Sequence, residues 1–369
     1  MRINPMVWAL ALTGLLSIPA KSIAGDGDGK VLFVSTRDGN AQIFVMNGDG
    51  SGQKPLTLGP AENTEPAWSP DGKRIAFTSY RDGNAEIYVM NADGSHPQRL
   101  TDNRRADNTP AWTADGRIVF RSLRDRNANL FIMDADGRNL ARLTSDQLDK
   151  GPPLPSPDGK QVAFFSFSPN DRQDIQVVDV AGSAQRNLTA EQPKDKKLGA
   201  AWSVDGNKIS YAESRGYALN LRLVDLQSGR VDKLTEGGSA VFANAVWSPD
   251  GQRIAYVSSP EGNADRARGD IYVMNADGSC ARNLTANPAE DNYPAWSTDG
   301  SRIYFVSLRD GNAQIYAVSV DGTQQARLTQ NLGHDVMLRP HYLPATKPVS
   351  GGPGLVVASN SNPSVHIKE

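Results

Sequence analysis

The sequence is poor in the residues that build covalent links or reactive sites. Its 369 residues include one cysteine, Cys280, and four histidines. A single cysteine excludes an intramolecular disulfide, so packing alone must stabilise the fold. Cys280 follows the turn sequence Asp277-Gly278-Ser279 without an evident basic neighbour, and we interpret it as a turn residue rather than a catalytic thiol. The formal charge of −2 gives no reason to expect a nucleic acid partner.

Long apolar runs are also missing. The run from Met6 to Ile18 is too short to span a bilayer as a stable helix. It follows Arg2 and precedes Ser22-Ile23-Ala24, whose small residues are typical of a secretory cleavage point. We therefore predict a signal peptide over residues 1–24, export to a bacterial periplasm, and a mature protein without a membrane span.

Motifs for catalysis are absent from the sequence. No Gly-x-Ser-x-Gly is present. His334 and His341 are seven residues apart, which in one regular strand places them on opposite faces. We therefore expect no catalytic residue, no metal and no cofactor, and the leading interpretation is a protein that is not an enzyme.

What the sequence has instead is one repeated unit. Its clearest copy, Pro66 to Thr101, is PAWSPDGKRIAFTSYRDGNAEIYVMNADGSHPQRLT. Repeats of 20–50 residues are typical of solenoids and propellers. The aspartate of the Pro-Asp-Gly turn recurs at Asp71, Asp115, Asp158, Asp205, Asp250 and Asp299.

Each unit predicts four short strands, a to d. Ile75 to Thr78 and Ile87 to Met90 are rich in β-branched and aromatic residues and are too short for helices. The Asp82-Gly83 pair between them is a strong hairpin signal, because a type I′ turn needs positive φ twice. Proline and glycine turns separate the other strands.

The repeat count predicts a closed ring. Leu-Thr ends a unit seven times, and Val31 to Thr57 contains strands b, c and d without a strand a. Residues 339–342 match residues 65–68 and supply the missing strand. We therefore predict an all-β propeller of seven four-stranded blades over residues 25–343, closed by pairing of the N-terminal half-blade with a C-terminal strand. Residues 344–369 are rich in Pro, Gly, Ser and Asn and are predicted to be a disordered tail.

The repeats resemble the WD-repeat-like propeller repeats of the TolB family of periplasmic proteins. The matching strings are PAWSPDG, RIAFTS, IYVMNADG and RLT, and the resemblance covers residues 31–342. It implies a scaffold that binds a peptidoglycan-associated lipoprotein at the central face of the propeller. TolB has six blades preceded by an α/β domain, whereas this sequence predicts seven blades that begin close to the cleavage point.

One face of the predicted propeller carries the candidate site. The d–a connections and the b–c turns lie on this face and are more polar and less uniform than the opposite turns. Arginine, aspartate and asparagine around a channel mouth are typical of a protein-docking surface. The alternative is that Asp and Asn satisfy turn backbones while Arg pairs with the adjacent Asp. The candidate partner-binding residues are Arg37, Arg81, Asp107, Asn108, Arg124, Asp291, Asn292, Arg309, His334 and Asp335.

Three functions remain open at this point. The leading hypothesis is a monomeric periplasmic scaffold that docks an envelope protein, such as a peptidoglycan-associated lipoprotein. The second is a propeller lyase or hydrolase acting on a polysaccharide, with His334 and Asp335 at the channel mouth and a metal. The third is a regulatory propeller whose catalytic partner is a separate chain.

The third full repeat generates the first prediction. It has Pro155 where most repeats have tryptophan, and each missing tryptophan forfeits burial of roughly 150–250 Å². We expect this blade to be the loosest, so backbone amides near Ala163 should exchange faster with deuterium than their counterparts in the other blades. Equal protection by hydrogen-exchange mass spectrometry would contradict this expectation.

Overall fold

A computed structural model describes residues 15–16, 29–168, 172–182, 184–190, 195–215, 218–237, 240–259, 269–340 and 359–360. All the regular elements within these ranges are β-strands, which confirms the predicted all-β class. Within the same ranges, no helix is long and apolar enough to cross a bilayer. Nearly all of the predicted signal peptide and tail, together with His341 and Tyr342, lies outside the described residues.

The strands alternate with turns at the spacing that the repeat predicts. In chain order they are β1 (Leu15–Leu16), β2 (Val31–Ser35), β3 (Gln42–Met46), β4 (Lys54–Pro55), β5 (Asn63–Trp68), β6 (Arg74–Ser79), β7 (Glu86–Asn91), β8 (Gln98–Arg99), β9 (Asp107–Trp112), β10 (Ile118–Ser122), β11 (Asn129–Met133), β12 (Ala141–Arg142), β13 (Asp149–Lys150), β14 (Leu154–Pro155), β15 (Gln161–Phe167), β16 (Gln173–Asp179), β17 (Gln185–Asn187), β18 (Lys197–Trp202), β19 (Lys208–Arg215), β20 (Ala218–Asp225), β21 (Val231–Lys233), β22 (Val241–Trp247), β23 (Arg253–Ser259), β24 (Asp270–Asn275), β25 (Arg282–Asn283), β26 (Asp291–Trp296), β27 (Arg302–Ser307), β28 (Gln314–Ser319), β29 (Gln325–Arg327), β30 (Asp335–Pro340) and β31 (Ser359–Asn360).

These strands form antiparallel four-strand units that we number from the N-terminus. Unit 1 has the order β30-β2-β3-β4, and units 2 and 3 are β5 to β8 and β9 to β12. Unit 4 is β13 to β17, with its first strand split into β13 and β14. Units 5, 6 and 7 are β18 to β21, β22 to β25 and β26 to β29. The pairing of Leu219 with Val241 joins units 5 and 6 into one sheet, and β1 pairs with β31.

The sequence alignment of the C-terminal strand was out of register by two residues. Pairing of β30 with β2 places Pro340 opposite Val31. In unit 2, Trp68 lies opposite Ile75, the equivalent of Val31. Pro340 therefore occupies the tryptophan position that the sequence alignment had assigned to Tyr342. A slip of two residues keeps every side chain on its own face, so the apolar pattern could not detect it.

Tryptophans at the ends of first strands connect units 3, 5, 6 and 7 to the unit before them. Trp296 of unit 7 donates from Nε1 to the carbonyl oxygen of Val246 in unit 6 at 3.0 Å. The equivalent bonds run from Trp112 to the carbonyl of Ala67, from Trp202 to the carbonyl of Leu154, and from Trp247 to the hydroxyl of Ser210. The repeated tryptophan thus adds a hydrogen bond to the apolar area that it buries.

Apolar clusters fill the space between consecutive units. Side chains of units 1 and 2, 2 and 3, and 3 and 4 share one cluster per pair, and one cluster spans units 4, 5 and 6. A further cluster contains unit 6, unit 7 and also Phe33 and Phe44 of unit 1. The backbones of units 1 and 7 are close there, because a Cβ at Gly50 would lie 2.9 Å from the carbonyl oxygen of Leu328. Unit 7 therefore contacts unit 1 as well as unit 6.

We expect Trp296→Phe to lower the free energy of unfolding by about 1–2 kcal/mol, because it leaves the buried carbonyl of Val246 without its donor. Urea unfolding followed by tyrosine fluorescence or circular dichroism would measure this loss. Leu332→Ala, at a fully exposed side chain, is the control and should leave the midpoint unchanged. An unchanged midpoint for Trp296→Phe would show that the bond contributes nothing.

Candidate functional site

The connections between units and the turns between their second and third strands lie at one end of the units. Asn40, in such a turn, donates from Nδ2 to the carbonyl of Pro60 in a connection at 2.8 Å. The backbone amide of Tyr80 likewise donates to the carbonyl of Glu62 at 3.0 Å. We call this end the connection face, and it is the face on which the sequence placed the candidate site.

The predicted arginines bind buried aspartates at the start of the first strand of their own unit. Arg124 donates to Asp107 at 2.8 Å, Arg309 to Asp291 at 2.9 Å, and Arg37 to Asp335 at 3.0 Å. All three aspartate side chains are fully buried. In unit 2 the acceptor is an asparagine, because Arg81 donates to the Oδ1 of Asn63 at 3.2 Å.

Each of these four arginines also stacks on an aromatic ring of its own unit. The guanidinium carbons lie 4.4–4.6 Å from a ring centre on the third strand of the unit: Arg37 over Phe44, Arg81 over Tyr88, Arg124 over Phe131 and Arg309 over Tyr316. Each Nε also donates to a serine two residues earlier in the chain. Cation–π contact and charged hydrogen bonds therefore fix each side chain in one place.

The aspartate that follows each arginine does not pair with it, so the alternative interpretation from the sequence is wrong for units 2, 3 and 7. These aspartates pair with an arginine of the fourth strand, as in Asp125–Arg142 and Asp310–Arg327, both at 3.2 Å, and Asp82–Arg99 at 3.6 Å. Tyr88 and Tyr316 also donate to Asp82 and Asp310. Arginine directly precedes Leu-Thr in these three units, which was the sequence signal for this pairing.

Burial sets the electrostatics of the aspartate position. Burial raises the pKa of the Asp107 carboxyl above its usual value, and the charge of Arg124 and a hydrogen bond from Ser122 offset part of that rise. Asn103, in the preceding connection, also donates to this carboxylate at 2.6 Å. Asn331 makes the same contact with Asp335 at 2.6 Å. The aspartates therefore connect the arginine turn to the inter-unit connection.

Lysine takes the aspartate position in units 4 and 5. Lys150 and Lys197 are fully buried, and burial lowers the pKa of both amines. Lys150 donates to the Asp146 carboxylate and to the carbonyl of Leu148. Lys197 donates to the carbonyl of Asp195 at 2.8 Å and lies opposite Glu213 in the strand pairing. The position is therefore charged in both signs but always has a partner.

The remaining predicted residues have local partners as well. Asn292 accepts a hydrogen bond from Asn244 of unit 6 at 2.7 Å, and His334 accepts one on Nδ1 from the amide of Ala313 at 3.1 Å. The backbone amide of His334 donates to the hydroxyl of Thr36 at 2.9 Å. The Oδ1 atoms of Asp107, Asn108 and Asp335 are buried without a hydrogen-bond partner among the described residues.

Several exposed residues of the connection face, among them its large apolar ones, were missed by the sequence interpretation. Leu332 and Leu58 are 102% and 74% exposed, and Tyr80 is 39% exposed. Arg104 and Arg105 are exposed in the connection from unit 2 to unit 3. We call Leu58, Tyr80, Arg104, Arg105 and Leu332 the connection-face patch. Its members lie in or next to the connections that join units 7, 1, 2 and 3 in succession, and three of them are large apolar side chains.

The possible metal ligands of the described residues are dispersed. In the part of the chain that the structure describes, no group of three His, Cys, Asp or Glu side chains is placed to hold a metal ion. The two residues that the enzyme hypothesis named have other roles, since Asp335 binds Arg37 and Asn331, and His334 binds backbone groups.

Comparison with known proteins identifies the repeat. A family model described as the TolB beta propeller domain matches residues 12–199 and 194–350. Among curated proteins, the Tol-Pal system protein TolB of Anaeromyxobacter dehalogenans strain 2CP-C is 36% identical over 119 residues. That match covers 31% of this chain and 25% of the relative, so it spans about a quarter of the relative's length.

Solved structures share the fold at low sequence identity. TolB from Acinetobacter baumannii matches with a TM-score of 0.53 at 19% identity, over 91% of this chain and 85% of that one. An oligogalacturonate lyase in complex with manganese matches with a TM-score of 0.63 at 16% identity, over 91% and 98% of the two chains. At these identities the likeness shows the propeller fold and does not extend to activity.

We expect Arg124→Gln to destabilise the protein by about 3 kcal/mol, because the buried Asp107 loses its charged partner. Asp107→Asn should cost much less, since unit 2 uses asparagine at this position. Because the pKa of Asp107 is raised in the folded state, the stability of the wild type relative to Asp107→Asn should fall as the pH rises through that pKa. Urea unfolding between pH 4 and pH 8 would measure both effects, and equal costs for the two variants would contradict the pairing.

Proposed function

We propose, from the premise that this chain belongs to the TolB β-propeller domain family, that it is an exported, non-enzymatic scaffold that binds an envelope protein. The observation that carries the proposal is the connection-face patch. Apolar side chains and arginines that are exposed on one face are characteristic of protein-binding sites. Export to the periplasm is the expectation from the N-terminal sequence, and it agrees with the family.

The scaffold is a closed propeller of seven blades. Units 1 to 7 correspond to the blades, and the pairing of β30 with β2 joins the two ends of the chain in one blade. Contact of unit 7 with unit 1 through Phe33 and Phe44 supports closure. In the ring, the outer edge of each blade is its short fourth strand, of two or three residues, and the inner edge is its first strand, which faces the channel. Such a ring suits a rigid platform that acts as a monomer.

The predicted arginines, which are half-buried apart from the exposed Arg81, support the docking surface through contacts within their own units. Each of them donates hydrogen bonds to a serine and to an aspartate or asparagine of its own unit; they are Arg37, Arg81, Arg124 and Arg309. They position the turns that stand beside the patch, as Arg81 does for its neighbour Tyr80. The partner therefore contacts the patch first, and the predicted arginine, aspartate and histidine residues hold its geometry.

The proposed partner is a peptidoglycan-associated lipoprotein. The curated relative is named as a component of the Tol-Pal system, and the connection face includes the predicted channel mouth. The alternative, a metal-dependent lyase or hydrolase, draws on the fold that this chain shares with a manganese-bound lyase. Stoichiometric manganese or zinc in the purified protein would favour the enzyme.

The direct test measures binding of the soluble domain of that lipoprotein, taken from the same genome, to the chain from residue 25 onward. We expect Leu332→Asp combined with Arg104→Glu and Arg105→Glu to weaken binding at least about tenfold by calorimetry. The first substitution removes an apolar contact of the patch, and the other two reverse its positive charges. Charge reversal at Arg81 or Arg309 would be a poorer choice, since it would leave Asn63 or Asp291 without its donor.

Matched controls come from the opposite end of the units. Arg138 and Lys160 have side chains that are 82% and 81% exposed there. Arg138→Glu with Lys160→Glu therefore changes the net charge by −4, as the two arginine reversals of the patch do, without touching the patch; Leu332→Asp adds one further negative charge to the patch variant. This variant should bind as the wild type does. No binding by the wild type would overturn the partner, and equal weakening by both variants would overturn the face.

A further inference from the structure

First strands of units 2 and 3 are linked by a carboxylate. Glu65 lies at a β-bulge in the left-handed region, with φ of 54°. Its Oε2 accepts hydrogen bonds from the hydroxyl of Thr78 at 2.7 Å and from the amide of Thr109 in unit 3 at 2.8 Å. The bulge residue of one unit therefore bonds the bulge residue of the next.

The same link cannot form between units 3 and 4. The amides of Asp107 and Lys150 each donate to an alanine carbonyl of the preceding unit, so these two residues are equivalent. Pro152 is then the equivalent of Thr109, and proline has no amide hydrogen to donate. Thr109 is only 8% exposed, and its hydroxyl has no hydrogen-bond partner among the described residues.

Arg121 of unit 3 lies at this junction. Its Nε donates to the carbonyl oxygen of Lys150 in unit 4 at 2.8 Å. Its terminal nitrogens make no hydrogen bond with the described part of the chain. In the strand pairing Arg121 lies opposite Asn108, which places both side chains on one face of the sheet. The Oδ1 of Asn108 is the second buried polar atom at the junction without a partner.

The first strand of unit 4 is interrupted beside Arg121, Asn108 and Thr109. Between β13 and β14 the chain runs through Gly151-Pro152-Pro153, where only the amide of Gly151 bonds to the neighbouring strand, at 2.8 Å to the carbonyl of Phe165. Two prolines fix the backbone dihedral φ there. At this junction unit 4 therefore contributes a backbone that two prolines constrain. Unit 3 contributes the guanidinium of Arg121, the amide oxygen of Asn108 and the hydroxyl of Thr109.

We infer that the junction of units 3 and 4 binds a ligand carboxylate that carries a hydrogen-bond donor beside it. The terminal nitrogens of Arg121 match the two oxygens of a carboxylate. Asn108 Oδ1 can only accept, so it requires a donor on the ligand. The hydroxyl of Thr109 can serve either group. The site lies beyond the connection-face patch and does not depend on the proposed protein partner.

Nearby charges define the ligand further. Glu65 and Asp149 both attract the charge of Arg121, while burial lowers the pKa of its guanidinium. A dianion would meet repulsion from those two carboxylates. A monocarboxylate with an adjacent N–H or O–H group fits better, and both a peptide C-terminus and a sugar acid have this chemistry.

Calorimetric titration of the mature chain with N-acetylglycine and with glucuronate tests the site, with N-acetylglycinamide and glucose as probes that lack the carboxylate. We expect at least one carboxylate probe to bind and neither control to bind. Binding of only one identifies a peptide-like or a sugar-acid ligand. Arg121→Gln should weaken binding at least about tenfold, since it removes a charged bidentate contact.

Asn108→Asp separates binding from folding. The new carboxylate would lie opposite Arg121 and occupy its terminal nitrogens, so ligand binding should fall at least about tenfold while the melting temperature is kept or raised. Thr64→Ala, at the equivalent position of unit 2, is the matched control and should bind as the wild type does. The inference is overturned if neither carboxylate binds, or if Arg121→Gln and Asn108→Asp both bind with unchanged affinity.

Discussion

Each four-stranded unit is apolar on both faces and cannot bury its core alone. In unit 2, Ile75 and Phe77 pack toward unit 1, whereas Ala76 and Val89 pack toward unit 3. A sheet of this kind buries its two apolar faces only by packing against neighbouring units. The contact of unit 7 with Phe33 and the hydrogen bonds from first-strand tryptophans to preceding units are consequences of that requirement.

The polar groups of the connection face serve the same constraint. Every connection leaves one unit and enters the next. In all units except unit 6, which has Phe242 at this position, the connection ends at a buried aspartate, asparagine or lysine. Where the residue is aspartate, as at Asp107, an arginine of the same unit neutralises it. Where it is lysine, as at Lys150, a carboxylate of the connection takes that role. The buried charges of units 1, 3, 4 and 7 therefore have ionic partners, and the exposed patch takes no part in this pairing.

Junctions between first strands differ although the units repeat. Glu65 bonds Thr109 between units 2 and 3, Asn244 bonds Asn292 between units 6 and 7, and Arg121 bonds the Lys150 carbonyl between units 3 and 4. Sheet pairing and apolar packing are shared by all units, so selection for folding acts on them uniformly. The residues at the bulges differ from unit to unit, which gives each junction its own chemistry and makes these positions suited to carry specific sites.

The repeat alone determined the strand class, the turn positions and the missing strand of the first unit, because alternation and turn chemistry are local properties of the chain. It also located the arginines and aspartates of one face. Only the tertiary structure decided which charges meet: Arg124 binds Asp107 rather than Asp125, because their distance depends on strand pairing and not on sequence spacing. The two-residue register of Pro340 and the exposure of Leu332 were likewise decided by long-range packing, which no local pattern records.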